Sequence, residues 1–282
     1  MTIHAALTEG EFSLKQSLTF ACRLAKKLNV RLVGVSAMPD PARAVLMTGV
    51  TMHGMAVSTG GTLAEGIREA QKEARENLET LFNEVCAAEG LADEQKAVEH
   101  HVGLPSEVYP RVTLLTGAFI TPHECVTVGN DHGLAFESTL LDKRLPVIAC
   151  GKDETPALET VIIAWDGSPE AARAVRFHSG ILKASDRIII AQNTAKIDER
   201  DRDGTEDPAR VAAYLESRGL TSEITTFDGK VADGLLSLAD KENAGVIIAG
   251  AYGHNRIEEF IFGGVSRNLL RAEHGPALAL AH

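Results

Sequence analysis

Residues 160–175 read TVIIAWDGSPEAARAV, and their order decides the fold. Thr160–Trp165 is an apolar, β-branched run of strand length. Asp166-Gly167 then turns the chain, Ser168 suits a helix N-cap, and Pro169 fits the first helical position. Ala171, Ala174, Val175, Ile181 and Leu182 keep helical spacing, which predicts a helix from Pro169 to about Ala184. A strand that is apolar throughout needs cover on both faces, as in a parallel sheet flanked by helices.

The same alternation continues on both sides. Downstream, strands are expected at Arg187–Gln192, Ser222–Phe227, Val246–Ala251 and Ala277–Ala281. Helices fall at Pro208–Arg218, Lys230–Asn243 and Gly264–Ala272, after a polar loop over Ala195–Asp207. Upstream, the order repeats, with strands at Ile3–Leu7, Val30–Ser36, Lys96–His101, Cys125–Gly129 and Pro146–Cys150. The intervening helices are Ser13–Leu28, Thr62–Glu89, Pro105–Phe119 and Leu134–Lys143. Strands alternating with long helical stretches call for parallel crossovers. The expected fold is α/β: two doubly wound, Rossmann-like parallel-sheet domains in tandem, residues 1–152 and 153–282, hinged at Gly151–Pro156. The 282 residues suit two domains of ordinary size. The stretch from Asp40 to Gly61, with Met47, Met52 and Met55, reads as a long crossover loop.

Composition narrows the function. Apolar residues at 44% and charged residues at 24% exclude a disordered chain. A net charge of −11 and few aromatics leave no basic footprint for nucleic acid or an anionic membrane. Cys22, Cys86, Cys125 and Cys150 form no CxxC pair and read as reduced core thiols; the ten histidines show no zinc spacing. The start, MTIHAALTEGEF, has neither a basic region nor a long apolar one, and no run reaches 18 apolar residues. A cytoplasmic location is the expectation.

One constellation carries chemistry. The strand ending at Ala249 runs into Gly250-Ala-Tyr-Gly253, then nine residues, then Gly263-Gly264-Val265-Ser266 at a helix start. Glycines there let backbone N–H groups approach an anion, and a helix N-terminus favours negative charge. Ligands of open parallel sheets bind beyond the strand carboxyl ends, where Asp166 also falls. The plainer alternative is that the glycines only make tight turns. No P-loop, GxGxxG or GxSxG motif occurs. Asp166, with no second acid, base or Lys, gives a thin basis for catalysis, and no catalytic or metal-ligating residue is assigned.

The second half resembles the universal stress protein family, whose nucleotide-binding members carry G-x2-G-x9-G-[S/T] after the fourth strand. Gly250, Gly253 and Gly263 fit that spacing, and Gly264 departs from it by replacing Ser or Thr. The resemblance implies an adenine nucleotide alpha hydrolase-like fold and a stress-response module. It implies bound ATP with Mg²⁺, held by Ala164, Asp166, Asn193, Gly250, Gly253, Gly263, Gly264, Val265 and Ser266. The main alternative is a slow ATPase or phosphotransferase on that site. Residues 1–150 resemble the family in element order only. Together the halves resemble a family dimer fused in one chain, which pairs Pro146–Cys150 with Ala277–Ala281; a further homodimer is left open. In the first half, 17 positions separate Gly129 from Pro146, against 26 from Gly250 to Pro276. With Thr8-Glu9 in place of the strand-end Asp, one nucleotide per chain is expected.

Overall fold

The computed structural model describes residues 1–9, 13–47, 56–126, 130–150, 157–194, 207–251, 264–271 and 275–282. The first half contains β1 (Thr2–Leu7), α1 (Leu14–Leu28), β2 (Arg31–Met38), α2 (Pro41–Met47) and α3 (Ala56–Ala88). It continues with β3 (Lys96–Val102), α4 (Pro105–Val112), β4 (Thr116–Pro122), α5 (Asp131–Glu137) and β5 (Val147–Cys150). The second half contains β6 (Thr160–Trp165), α6 (Pro169–Phe177), α7 (Ser179–Ala184), β7 (Arg187–Asn193) and α8 (Pro208–Glu216). There follow β8 (Glu223–Phe227), α9 (Val231–Glu242), β9 (Val246–Gly250), α10 (Gly264–Arg271) and β10 (Ala277–Ala281).

All ten strands join one sheet in the order β3-β2-β1-β4-β5-β10-β9-β6-β7-β8. Pairing is parallel within each half and antiparallel only at the seam, where Leu278, Ala279 and Leu280 face Ala149, Ile148 and Val147. The seam joins the two strands the resemblance pairs. It covers edges that would otherwise present unpaired backbone groups.

The apolar strands explain the layering. Val161, Ile162 and Ile163 of β6 alternate between the two faces, and all three are fully buried. Val161 and Ile163 join one core, which also holds Ile3 and Ile148; Ile162 joins the other, with Val147 and Phe119. Each core therefore runs across the seam. Burying such a side chain contributes roughly 1.5–3 kcal/mol, so the central strands outweigh any single loop contact. Local punctuation is shared between halves: Asn29 ends α1 and Asn243 ends α9, both left-handed, with φ 51° and 50°. Asparagine tolerates that conformation better than most residues with a side chain.

Four expectations need correction. The helix read as Pro105–Phe119 stops at Val112, and residues expected to continue it form β4, beside β1 and β5. Leu114 and Leu115, apolar and helically spaced in sequence, stand exposed on the turn between α4 and β4. Ala118, Phe119 and Ile120 are the buried strand core instead. The strand expected at Cys125–Gly129 is therefore displaced: Cys125 lies in a 3-10 turn over His123–Val126, and Thr127–Gly129 fall outside the described residues.

The supposed loop from Asp40 contains α2. Asp40 accepts from Ala42 N at 2.9 Å and Pro41 takes the first helical position, a start signal that the glycine- and methionine-rich surroundings obscured. Helix α3 already begins at Ala56; Met52 and Met55 lie outside the described residues. The helix expected from Pro169 to Ala184 breaks at His178 into α6 and α7. The His178 backbone leaves helical geometry (φ −91°, ψ 22°), and its ring donates to the Leu280 carbonyl at 2.9 Å. Gly151–Pro156, read as a hinge, and Ala195–Glu206 of the acidic loop are outside the described residues.

Candidate functional site

In the second half the strand order is β10-β9-β6-β7-β8, so successive strands leave β6 on opposite sides. The reversal lies between β6 and β9. Chain crossovers diverge there, and a crevice opens beyond the carboxyl ends of the strands.

Four of the sequence-derived site residues fall at that edge. Ala164 is the penultimate residue of β6 and half-buried, opposite Ala191. Asp166 follows β6 directly, is exposed, and its carboxylate accepts from Ser168 N at 3.0 Å. Gly167 makes the turn with φ 78°, and the Ser168 hydroxyl caps α6 by accepting from Ala171 N. Asn193 closes β7; it is buried, and its amide donates to the Gly229 carbonyl at 2.9 Å, tying β7 to the entry of α9. Helix α9 itself starts at Val231 with no side-chain cap from Lys230.

Gly250 ends β9 and has a packing reason to be glycine. A Cβ there would lie 2.6 Å from Ala171 N and 2.7 Å from the Glu170 carbonyl carbon. The start of α6 is thus seated on the end of β9, and Asp166 and Gly250 belong to neighbouring strand ends linked by that contact. Gly264 is the first residue of α10 and Val265, the second, is exposed; Ser266 lies in the same first turn. Gly253 and Gly263 are outside the described residues.

The first half has the matching strand order, β3-β2-β1-β4-β5, but its edge is furnished differently. Glu124, just after β4, accepts from Ser13 Oγ at 2.8 Å and from Ser13 N at 3.3 Å, at the N-terminus of the 15-residue α1. Asp131 accepts from Ser106 N at 2.8 Å and Ser106 Oγ at 2.6 Å, in the first turn of α4. Two helix N-termini are therefore already met by the chain's own carboxylates. Asp131 is the first residue of α5, where α10 has Gly264. Sequence reading missed both contacts, because Ser13–Glu124 and Ser106–Asp131 join residues far apart in the chain.

Relocating β4 also changes the spacing argument. From the end of β4 to the start of α5 there are eight residues, 123–130; from the end of β9 to the start of α10 there are thirteen, 251–263. The first-half connection is five shorter, not nine, and the comparison from Gly129 used the wrong anchor. Burial pushes the Cys125 thiol in this connection up to about 12 and lowers His132 below its ordinary range, so neither offers a charge to the edge.

Elsewhere, an open depression of about 490 Å³ lies between β8 and α9, lined by Thr226, Asp228, Lys230, Asp233 and Lys241 among others. It sits at the outer strand of the sheet and includes none of the expected site residues. No group of three or more His, Cys, Asp or Glu able to hold a metal occurs among the described residues, and none of their helices is long and apolar enough to cross a membrane.

The architecture defines the chain as a tandem doubly wound α/β protein with an order reversal in each half. Comparison then supplies the family of one half: residues 158–280 match the universal stress protein family and form a domain of that type. Solved structures of the same fold span both halves. A universal stress protein from Archaeoglobus fulgidus DSM 4304 is 16% identical, with 99% of this chain and 97% of that chain covered and a TM-score of 0.67. A putative universal stress protein from Pseudomonas aeruginosa UCBPP-PA14 is 13% identical, with 98% and 92% covered and a TM-score of 0.52. A universal stress protein in complex with cAMP is 25% identical over 44% of this chain and 96% of that one, with a TM-score of 0.36. No curated protein matches the chain.

Proposed function

We propose that the chain is a tandem universal stress protein, with domains at residues 1–152 and 153–282, that binds one adenine nucleotide in its second domain. The ligand is ATP with Mg²⁺, and the protein acts as a cytoplasmic stress-response binding module. Ala164, Asp166 and Asn193 line the nucleoside side; Gly250, Gly253, Gly263, Gly264, Val265 and Ser266 hold ribose and phosphates. The observation that carries the reading is the glycine series Gly250, Gly253, Gly263 beginning at the strand end beside the order reversal.

The residues fit such a ligand in kind. A helix beginning at Gly264 has first-turn backbone N–H groups with no acceptor inside the helix, and no side chain on its first residue. Asp166 is exposed at the neighbouring strand end and is the single carboxylate among the proposed residues. Magnesium commonly uses one or two protein carboxylates together with phosphate oxygens, so one Asp suffices. The bound ion would neutralise phosphate charge in an acidic protein. In the first half the start of α5, the counterpart of α10, is capped by the Asn130 side chain and opens on Asp131, and a polyphosphate there would meet the charges of Asp131 and of Glu124 nearby on the same edge. This replaces missing loop length as the main reason for one site per chain.

Calorimetric titration of the full chain with MgATP tests the proposal. One site per chain is expected, abolished by Gly263→Val and unchanged by Gly129→Val, with circular dichroism confirming that both variants fold. Two equivalent sites, or full binding in Gly263→Val, would overturn it. Mass spectrometry of nucleotide released from the purified protein distinguishes ATP from cAMP or another adenine nucleotide.

A further inference from the structure

The four cysteines are all buried, yet two of them are not isolated. Cys22 of α1 and Cys86 of α3 lie with their sulfurs 3.4 Å apart, each fully enclosed. Cys125 and Cys150, also buried, have no thiol neighbour among the described contacts and supply an internal comparison. Beside the close pair, two side chains of α1 are tied to the residue that follows α3. Arg23, next to Cys22, makes a bidentate pair with Glu89, one turn beyond Cys86, at 2.9 and 3.1 Å. Lys26 donates to the Glu89 carbonyl at 2.8 Å. These ties set the register of α1 against α3 at the level of the sulfurs, so the thiols meet because the helices are fixed, not because either side chain reaches out.

We propose that Cys22 and Cys86 are a dithiol modification site that a peroxide-class oxidant converts to an intramolecular disulfide, fastening α3 to α1. The step balances with hydrogen peroxide as oxidant. The Cys86 thiolate attacks one peroxide oxygen, the O–O bond breaks, and hydroxide leaves to take up the displaced proton as water. The Cys22 sulfur then attacks the Cys86 sulfenic acid, the S–O bond breaks, and a second water leaves. Two thiols lose two electrons and two protons, and one peroxide becomes two waters.

The assignment of roles follows the local electrostatics. Hydrogen bonding with Cys22, in which either sulfur can donate, lowers Cys86 below the usual thiol range, and the Lys96 ammonium acts in the same direction, while Cys22 is raised. The thiolate is the nucleophile in such chemistry, so Cys86 reacts first and Cys22 resolves. Burial selects the oxidant by size. A water-sized peroxide needs only a small parting of α1 from α3 to reach the pair, whereas a bulky disulfide such as oxidised glutathione must place its sulfur in line with a thiolate that has no exposed surface. A reducing compartment suits this pair, since cytosolic disulfides are mostly transient and redox-responsive.

The test uses the full chain, reduced, freed of reductant, exposed to hydrogen peroxide in modest excess, then denatured and alkylated with N-ethylmaleimide. Intact mass should show two alkylated thiols instead of four and the loss of two hydrogens, and peptide mapping should join Cys22 to Cys86. Dithiothreitol should restore four alkylated thiols. Oxidised glutathione at the same thiol-to-oxidant ratio should react at least tenfold more slowly. The crosslink closes the loop from Cys22 to Cys86, so the oxidised protein should also melt several degrees higher. Retention of all four thiols after peroxide would overturn the proposal. So would a crosslink to Cys125 or Cys150, or a sulfinic acid on Cys86 with Cys22 still free. The readouts on the unmutated chain decide it; Cys22→Ser, which should accumulate oxidised Cys86 without crosslinking, adds the order of attack.

Discussion

His178 makes the stability of the second half depend on pH in a way that can be worked out from its surroundings. The imidazole is almost fully buried at the break between α6 and α7, and its Nε2–H donates to the Leu280 carbonyl of β10. Its Nδ1 has no hydrogen-bond partner among the described residues. Protonation would place a charge on that unpartnered nitrogen inside an apolar layer, so burial lowers the group from its ordinary 6.5 to about 4, against a small opposing pull from the Leu280 carbonyl. As pH falls, the unfolded chain takes up the proton near 6.5 while the folded chain resists until about 4. The stabilising difference is therefore complete above 6.5 and is lost progressively as pH falls toward 4.

The shift corresponds to about 3 kcal/mol at full extent, of which about 2 kcal/mol disappears between pH 7 and pH 5. His4 and His132 are lowered by burial as well and act with the same sign, so the wild-type slope alone does not isolate His178. His178→Gln does, because the amide can keep a donor toward Leu280 O without titrating. Urea unfolding at pH 7 and pH 5 should show the variant losing about 2 kcal/mol less than the wild type over that interval. An identical loss in both proteins would refute the argument.

Two further outcomes follow from the seam and the strand ends. Gly250→Ala should destabilise the chain by about 1–3 kcal/mol in urea unfolding, because the new Cβ meets the α6 backbone instead of a movable side chain; a neutral substitution would show that the start of α6 yields freely. Residues 153–282 expressed alone should dimerise through β10, whose partner β5 has been removed, and light scattering showing a folded monomer at high concentration would count against this edge-covering role.

The sequence made β6 and β10 legible because each is a short, continuously apolar run, and both match their expected bounds residue for residue. The first half misled where apolarity and location parted company. Residues 112–120 offer valine, leucine, phenylalanine and isoleucine at spacings that suit a helix as well as a strand. Pairing decides between them: β4 fills the slot between β1 and β5, with His4 opposite Phe119 and Ile120 opposite Ile148. No window along the chain contains that information. The edge residues were legible in part for the same reason. Asp166 and Gly250 follow strands that read clearly, whereas the contacts of Glu124 and Asp131 depend on helices packed from distant positions.

Those two carboxylates give the difference between the halves a physical form. A helix N-terminus at a strand edge leaves backbone donors that need an acceptor, and burial raises the cost of leaving them unmet. The acceptor can come from a ligand or from the chain. In the first half Glu124 and Asp131 meet the starts of α1 and α4, which frees those helices from any need for a bound anion. In the second half the start of α6 is met from its own turn, the Ser168 hydroxyl accepting from Ala171 N and the Asp166 carboxylate from Ser168 N, while Lys230 offers α9 no side-chain cap and α10 opens on a glycine. One sheet order thus carries two differently furnished edges: carboxylates from distant connections meet helix starts in the first half, and Asp166 and Ser168 meet the start of α6 from its own turn in the second. The difference rests on a few side chains in the connections, with the strand framework left unchanged.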